Sequence, residues 1–203
     1  MTEELKNIDK LYDAAVNSSY FSSLLTPRSQ KIKSYEDVGS KYNEYIVEHP
    51  ELDKTAKLNI YDKLLNIYSC MNNQSKLTST KLDRYSILTD EELNEELANL
   101  KEIDILKFLD IADERMKIKF YKYLIETLKL KSKYVVAFVD FIATTSEIAD
   151  YATYIEELFR ANLETVKSRK YAELLIKLDP EKYKAYCCKV DPLPSNIDYY
   201  NSL

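Results

Sequence analysis

The residues on which chemistry would have to rest are few: one histidine, three cysteines and one tight acidic cluster. Any Ser-His or His-mediated acid–base site would have to use His49, because imidazole is the usual proton shuttle near neutral pH. His49 stands directly before Pro50, where the pattern predicts a turn between helices, so it reads as a loop histidine. Without a second histidine, a His-rich zinc or di-iron centre is excluded. Cys187 and Cys188 are neighbours in sequence. On a helix such neighbours point about 100° apart and hold a tetrahedral metal poorly without a third ligand. Cys70 would have to supply it, and no spacing predicts that, so the pair reads as small buried hydrophobes, with a redox role as the lesser alternative. Asp90, Glu91, Glu92, Glu95 and Glu96 form the acidic cluster. A cation site or a glycosidase-like carboxylate pair is the chemical reading. Favourable charge at the positive end of a helix dipole is the simpler one, since no aromatic sugar platform accompanies the cluster.

Two further groups suit binding rather than reaction. On a helical wheel Arg115, Lys119, Lys122, Glu126, Lys129 and Lys133 fall on one narrow stripe. Such a stripe is a solvated helix face, or a contact for phosphates or an acidic partner. Tyr121 and Tyr123 lie away from it and read as core, not as base-stacking platforms. Beyond the last predicted helix, Asp191 to Leu203 carries two prolines and the pair Tyr199-Tyr200. That composition predicts an extended tail that lays aromatic area on a neighbour. The candidate partner-binding residues are therefore Arg115, Lys119, Lys122, Lys129, Lys133, Tyr199 and Tyr200. No catalytic residue, metal or cofactor is expected.

The elements that must position these groups follow from what the chain lacks. It has a single glycine, Gly39. Phosphate loops, dinucleotide fingerprints, nucleophile elbows and tight hairpins all need glycine at fixed places. Helices joined by short polar connections are what is left. Hydrophobic residues make up 45% and charged residues 31% of 203, enough for a globular core in one domain or two small ones. Tyr is 18 and Trp is 0, so tyrosine is the large core aromatic. The net charge of −5 disfavours nucleic acid as a partner without excluding it. No run approaches the roughly 18 apolar residues of a membrane-crossing helix. The N-terminus lacks the basic and apolar regions of a secretory signal, and three cysteines build no disulfide framework, so the expected location is the cytoplasm or a particle assembled there. Lys at 24 against Arg at 5 is the usage that AT-rich codons produce and suggests a viral, phage, parasite or AT-rich bacterial source.

The 3-4 spacing of apolar residues predicts about seven to nine helices. The first runs over Glu3 to Val16. Ser34 with Asp37 is read as the cap of a second, which ends before His49-Pro50. A third, reaching roughly Met71, is read as burying Leu58, Ile60, Tyr61, Leu64, Leu65, Ile67, Tyr68 and Met71. The Ser/Thr/Asn-rich stretch near 72–83 is read as a linker and candidate subdomain boundary. Thr89 with Glu92 forms a capping box. Ala112–Leu130 is apolar over so much of its circumference that it is read as the central helix. Tyr134 to Thr145 is rich in β-branched residues but is assigned to a buried helix by length and neighbours. Asp179-Pro180 breaks one helix and restarts another, and residues 191–203 form the tail. Residues 1–190 are read as one domain.

The junctions Tyr45-Ile46-Val47-Glu48-His49-Pro50-Glu51 and Leu175-Ile176-Lys177-Leu178-Asp179-Pro180-Glu181 resemble those of tetratricopeptide-type helical repeats. In that family an apolar helix ends in a Pro-containing turn and the next begins at once. The family's Gly and Ala positions are not matched and no regular period appears, so the resemblance implies only an irregular stack of helix pairs.

The expected fold is thus all-α, a compact multi-helix bundle or short irregular α-solenoid. The expected role is that of a non-catalytic adaptor or structural subunit acting by protein–protein contact or self-assembly, in a viral, phage or other larger assembly. A nucleic-acid factor using the 115–133 stripe with Lys177, Lys182, Lys184 and Lys189 is the alternative. An all-helical enzyme with a carboxylate site is the second alternative.

Overall fold

Helices account for every regular element among the described residues, which in the computed structural model are 2–17, 27–126, 131–145, 148–163, 165 and 167–203. They form two units, Met1–Ala112 and Asp113–Leu203. The first contains α1 (Glu3–Asn17), α2 (Arg28–Glu48), α3 (Lys54–Cys70), α4 (Gln74–Ser86), α5 (Asp90–Ala98) and α6 (Glu102–Ile111). The second contains α7 (Glu114–Glu126), α8 (Lys131–Ile142), a 3₁₀ turn (Ile148–Tyr151), α9 (Ala152–Ala161), α10 (Lys167–Leu178), α11 (Pro180–Val190) and α12 (Pro194–Ser202). The all-α class agrees with the sequence; twelve α-helices among the described residues exceed the seven to nine expected.

In the first unit, neighbours in sequence are neighbours in space: α1 packs on α2, α2 on α3, α3 on α4, and α4 also meets α6. The core between α1, α2 and α3 consists of Leu5, Ile8, Val38, Tyr42, Tyr45, Ile60, Leu64, Ile67 and Tyr68. Three tyrosines in that cluster place rings inside and hydroxyls at the rim, as expected for a Tyr-rich, Trp-free chain. Gly39 sits within α2 where that helix passes α3. A Cβ there would lie 3.4 Å from the Tyr68 ring and hydroxyl and 3.6 Å from Ile67 Cγ2.

The linker and boundary expected near 72–83 are not there. Only Met71 to Asn73 form a turn, and α4 occupies the rest. The turn is closed by Asn72 in left-handed backbone at φ 55°. Its N–H donates to Ser69 O, and Asn73 N–H donates to Tyr68 O at 2.9 Å, the Schellman pattern. The Asn73 side chain then accepts from Lys76 N–H and opens α4. The Ser34/Asp37 cap is likewise displaced. Here α2 begins seven residues earlier at Arg28, behind Pro27, so Ser34 and Asp37 are helix interior. By contrast, Thr89 and Glu92 make the reciprocal capping box.

In the second unit α10 is the element around which the others gather: α8, α9, α11 and α12 all pack on it. Tyr171, Ala172, Leu174, Leu175 and Ile176 bury its surface. Helix α7 is deeply embedded, with Phe120 and Leu124 at 0% exposure, and its strongest packing in this unit is on α8. The central position expected for 112–130 therefore belongs to α10 within this unit, and residues 127–130 lie outside the described ones. The 134–145 stretch is helical as far as Ile142, and residues 143–145 form a turn. Asp179 caps α11 with Pro180 at its first position.

The tail is the largest departure. Residues 194–202 are α12, not an extended arm. Proline lacks an N–H that a first helical turn does not use, so Pro194 starts a helix where the sequence reading saw a stop.

Candidate functional site

The 115–133 stripe is only partly a surface. Arg115 is exposed at the start of α7, whereas Lys119 and Lys122 are half-buried. The Lys122 ammonium stands 4.9 Å from the Tyr151 ring centre and 5.5 Å from that of Tyr154. Cation–π attraction of this kind is strongest where water is excluded, so Lys122 ties α7 to the 3₁₀ turn and α9. Lys129 lies outside the described residues, and Lys133 is placed only as part of α8. No continuous five-residue basic face is established among the described residues.

The tail tyrosines are occupied by their own chain. Tyr200 has 0% exposure, and its hydroxyl donates to Asp191 Oδ2 at 2.7 Å. Asn196 Nδ2 donates to the same oxygen at 2.9 Å. Burial, then the carboxylate beside it, pushes the Tyr200 hydroxyl well above the usual phenol range. Arg169 donates to Asn196 Oδ1 through Nε and Nη2 and stacks 4.8 Å from the Tyr199 ring centre. The Tyr199 hydroxyl donates to Glu173. This set clamps α12 to α10. Tyr200 is therefore withdrawn as a partner contact, and Tyr199 presents only a half-exposed edge.

The residues with chemical potential serve as ties between helices. Asp9 of α1 accepts from the Tyr42 hydroxyl and the Lys63 ammonium, both at 2.6 Å. The ammonium stands 5.7 Å from the ring centres of Tyr12 and Tyr42. Burial, then the Asp9 hydrogen bond, pushes the Tyr42 hydroxyl far up, so it remains a donor. A half-open groove of about 310 Å³ lies beside this pair, floored by Leu5, Leu52, Ala56 and Ile60. Arg84 spans Asp62 of α3 and Glu96 of α5 at 2.8 and 2.7 Å. Glu92 pairs with Lys54 and accepts from Thr89 N–H. Glu92 and Glu96 of the acidic cluster are thus committed to ties. Among the described residues, no group of three His, Cys, Asp or Glu side chains is placed to hold a metal ion. Cys187 is fully buried, and burial pushes its thiol up to about 12, away from the reactive thiolate. Cys188 is half-buried and Cys70 exposed.

His49 joins three segments. Its Nε2 lies 3.5 Å from Glu4 of α1 and its Nδ1 3.1 Å from Glu51. Its ring packs at 4.3 Å on Tyr45, whose hydroxyl bonds Thr2 Oγ1 at 2.7 Å.

One surface was missed by the sequence reading. Helix α6 buries Ile105, Phe108 and Leu109 yet leaves Ile103 58% and Ile111 55% exposed. At 100° per residue these two straddle Lys107 on the face opposite the buried three. The signal was present as a ten-residue helix apolar on both faces, which is the mark of an element with two apolar neighbours. No helix among the described residues is long and apolar enough to cross a membrane.

Charge divides unevenly. The first unit carries 14 basic and 20 acidic residues, a net −6, and the second 15 and 14, a net +1. A scan against protein-family models and searches of curated proteins and solved structures match nothing.

Proposed function

We propose that this chain is a non-catalytic helical subunit that acts by protein–protein contact within a larger assembly. The observation that carries the reading is the outward face of α6. Two isoleucines stand in water there on one side of a single helix, eight positions apart. Burying such a side chain in a partner is worth roughly 1.5–3 kcal/mol each. Support also comes from the use of the ionisable residues: Asp9, Lys63, Arg84, Glu92, Asp191 and Arg169 hold helices together instead of converging on an open cleft.

The test is the native mass of the chain in extract of its source cells. The expected result is an assembly larger than the monomer, lost in an Ile103→Lys/Ile111→Lys variant whose circular dichroism is unchanged. A variant that still elutes with the wild type would remove α6 as the contact and the main support for the reading.

The alternative, a nucleic-acid factor, is favoured by one observation. The surplus of acid that argued against it lies wholly in the first unit, and the second is nearly neutral. Salt-sensitive retention of the chain on DNA or RNA is its measurement. Elution at low salt dismisses it.

A further inference from the structure

We infer that His49 is a proton-operated latch: as an imidazolium it fastens the first turn of α1 to the junction of α2 and α3, and as a neutral ring it lets that turn go. A histidine with one carboxylate beside it keeps that partner in either charge state. His49 has two, on different segments. Its Nδ1 lies 3.1 Å from Glu51 in the turn after α2, and its Nε2 lies 3.5 Å from Glu4 of α1. An ionised carboxylate only accepts, so each nitrogen must carry a proton to be held by its partner. Only the imidazolium carries both. A neutral ring keeps one N–H and turns a lone pair toward the other carboxylate.

Distance decides which partner is lost. The Glu51 contact is the shorter and closes within one turn, whereas Glu4 comes from a separate helix. The remaining N–H therefore goes to Glu51, and Glu4 faces a lone pair. The same end of α1 is also held by Thr2 and Leu5. Thr2 Oγ1 accepts from Leu5 N–H at 3.2 Å and meets the Tyr45 hydroxyl at 2.7 Å, while the Tyr45 ring packs on His49. In the first turn only Leu5 is buried. One turn further on, Asp9 is bonded to Tyr42 and Lys63, so release stops there. Leu5 walls the groove it shares with Leu52, Ala56 and Ile60, and lifting the first turn widens that groove.

The groups that face the ring are Glu4 from α1, Tyr45 from α2 and Glu51 from the turn. From α3, Lys57 donates to Pro50 O at 2.7 Å and acts on Glu51. The Glu51 hydrogen bond, opposed by partial burial and aided by Glu4, holds the imidazolium above its ordinary pKa. The latch is therefore closed below the unfolded value of about 6.5 and opens as pH rises through the folded one. With 26% of its side chain exposed, His49 exchanges its proton directly with water.

Amide hydrogen exchange of the full chain tests this, expressed as protection factors so that the intrinsic pH dependence of exchange cancels. The reporters are the N–H groups of Leu5 and Lys6, both of which donate to Thr2. Their protection is expected to fall roughly two- to fivefold from mildly acidic to mildly alkaline pH, the range a partly exposed ion pair supplies. Lys76 and Leu77, at the start of α4, are expected to hold constant. Glu4→Gln is expected to flatten the profile, because an amide both donates and accepts and so serves either form of the ring. It is also expected to lower the His49 pKa read from its ring-proton NMR shift. Wild-type protection that does not change with pH overturns the inference. So does a fall that survives in His49→Gln, which would belong to another titrating group, or a His49 pKa indifferent to Glu4→Gln.

Discussion

Gly39 is the residue that most narrows the sequence reading, yet the structure asks nothing unusual of its backbone. It sits in ordinary helical conformation, and the space beside it admits a methyl group at 3.4 Å from Tyr68. Glycine costs a helix interior roughly 0.5–1 kcal/mol relative to alanine. Gly39→Ala is therefore expected to stabilise the protein by about that amount in urea denaturation. A loss of more than about 1 kcal/mol would mean that α2 and α3 need closer approach than the contact distances indicate. His49 gives a second residue-scale expectation. The Glu51 hydrogen bond, joined by Glu4, holds the imidazolium above its ordinary pKa. The groups facing it are Glu4 from α1 and Glu51 from the turn, and Lys57 lies close enough to influence Glu51. A folded pKa raised above the unfolded one gives stability that is fully present below the unfolded value, about 6.5, and disappears as pH rises through the folded value. The melting-temperature gap between wild type and His49→Gln is thus expected to be wider at mildly acidic than at mildly alkaline pH. An equal gap at both would show that the ring packs on Tyr45 without its charge mattering.

Asn72 shows how a chain with one glycine turns its helices. Left-handed backbone costs most L-residues roughly 1–2 kcal/mol, and asparagine tolerates it better than a β-branched side chain. Asn72→Gly is expected to raise stability by a few tenths of a kcal/mol, and Asn72→Val to lower it by about 1–2. Chemical denaturation measures both. The same turn explains what could be read beforehand. Local signals were legible: Thr89 with Glu92, and Asp179 with Pro180, are caps whose partners lie three residues away. Signals overridden by packing were not. The Ser/Thr-rich 74–86 run has poor helix propensity, but Thr80 and Tyr85 are buried and hold it as α4. In the candidate site, the spacing of Arg115, Lys119 and Lys122 on one helix face was legible. That Lys122 faces Tyr151 and Tyr154 was not, since those residues lie some thirty positions on. Tyr200 looked like a free aromatic because its partner Asp191 was read as part of the same loose tail.

At the scale of the whole chain, the residues group into two compact units that divide at Ala112 and Asp113, within the stretch 1–190 that the sequence reads as one domain. The boundary is marked by chemistry that is easy to overlook. Ala112 leaves α6 in extended backbone, and the Asp113 side chain caps α7 by accepting from Met116 N–H at 2.8 Å. No proline or glycine announces it. The first unit has what a domain needs to fold alone. A core cluster between Leu5 and Tyr68 is drawn entirely from its own helices. Its later helices are tied to the earlier ones by Arg84 with Asp62 and Glu96, and by Lys54 with Glu92. Its 112 residues fall in the common domain range, and a net −6 favours solubility. Residues 1–112 expressed alone are therefore expected to show a helical spectrum and one cooperative thermal transition. A fragment with the spectrum of unfolded chain would mean that its stability depends on residues beyond 112.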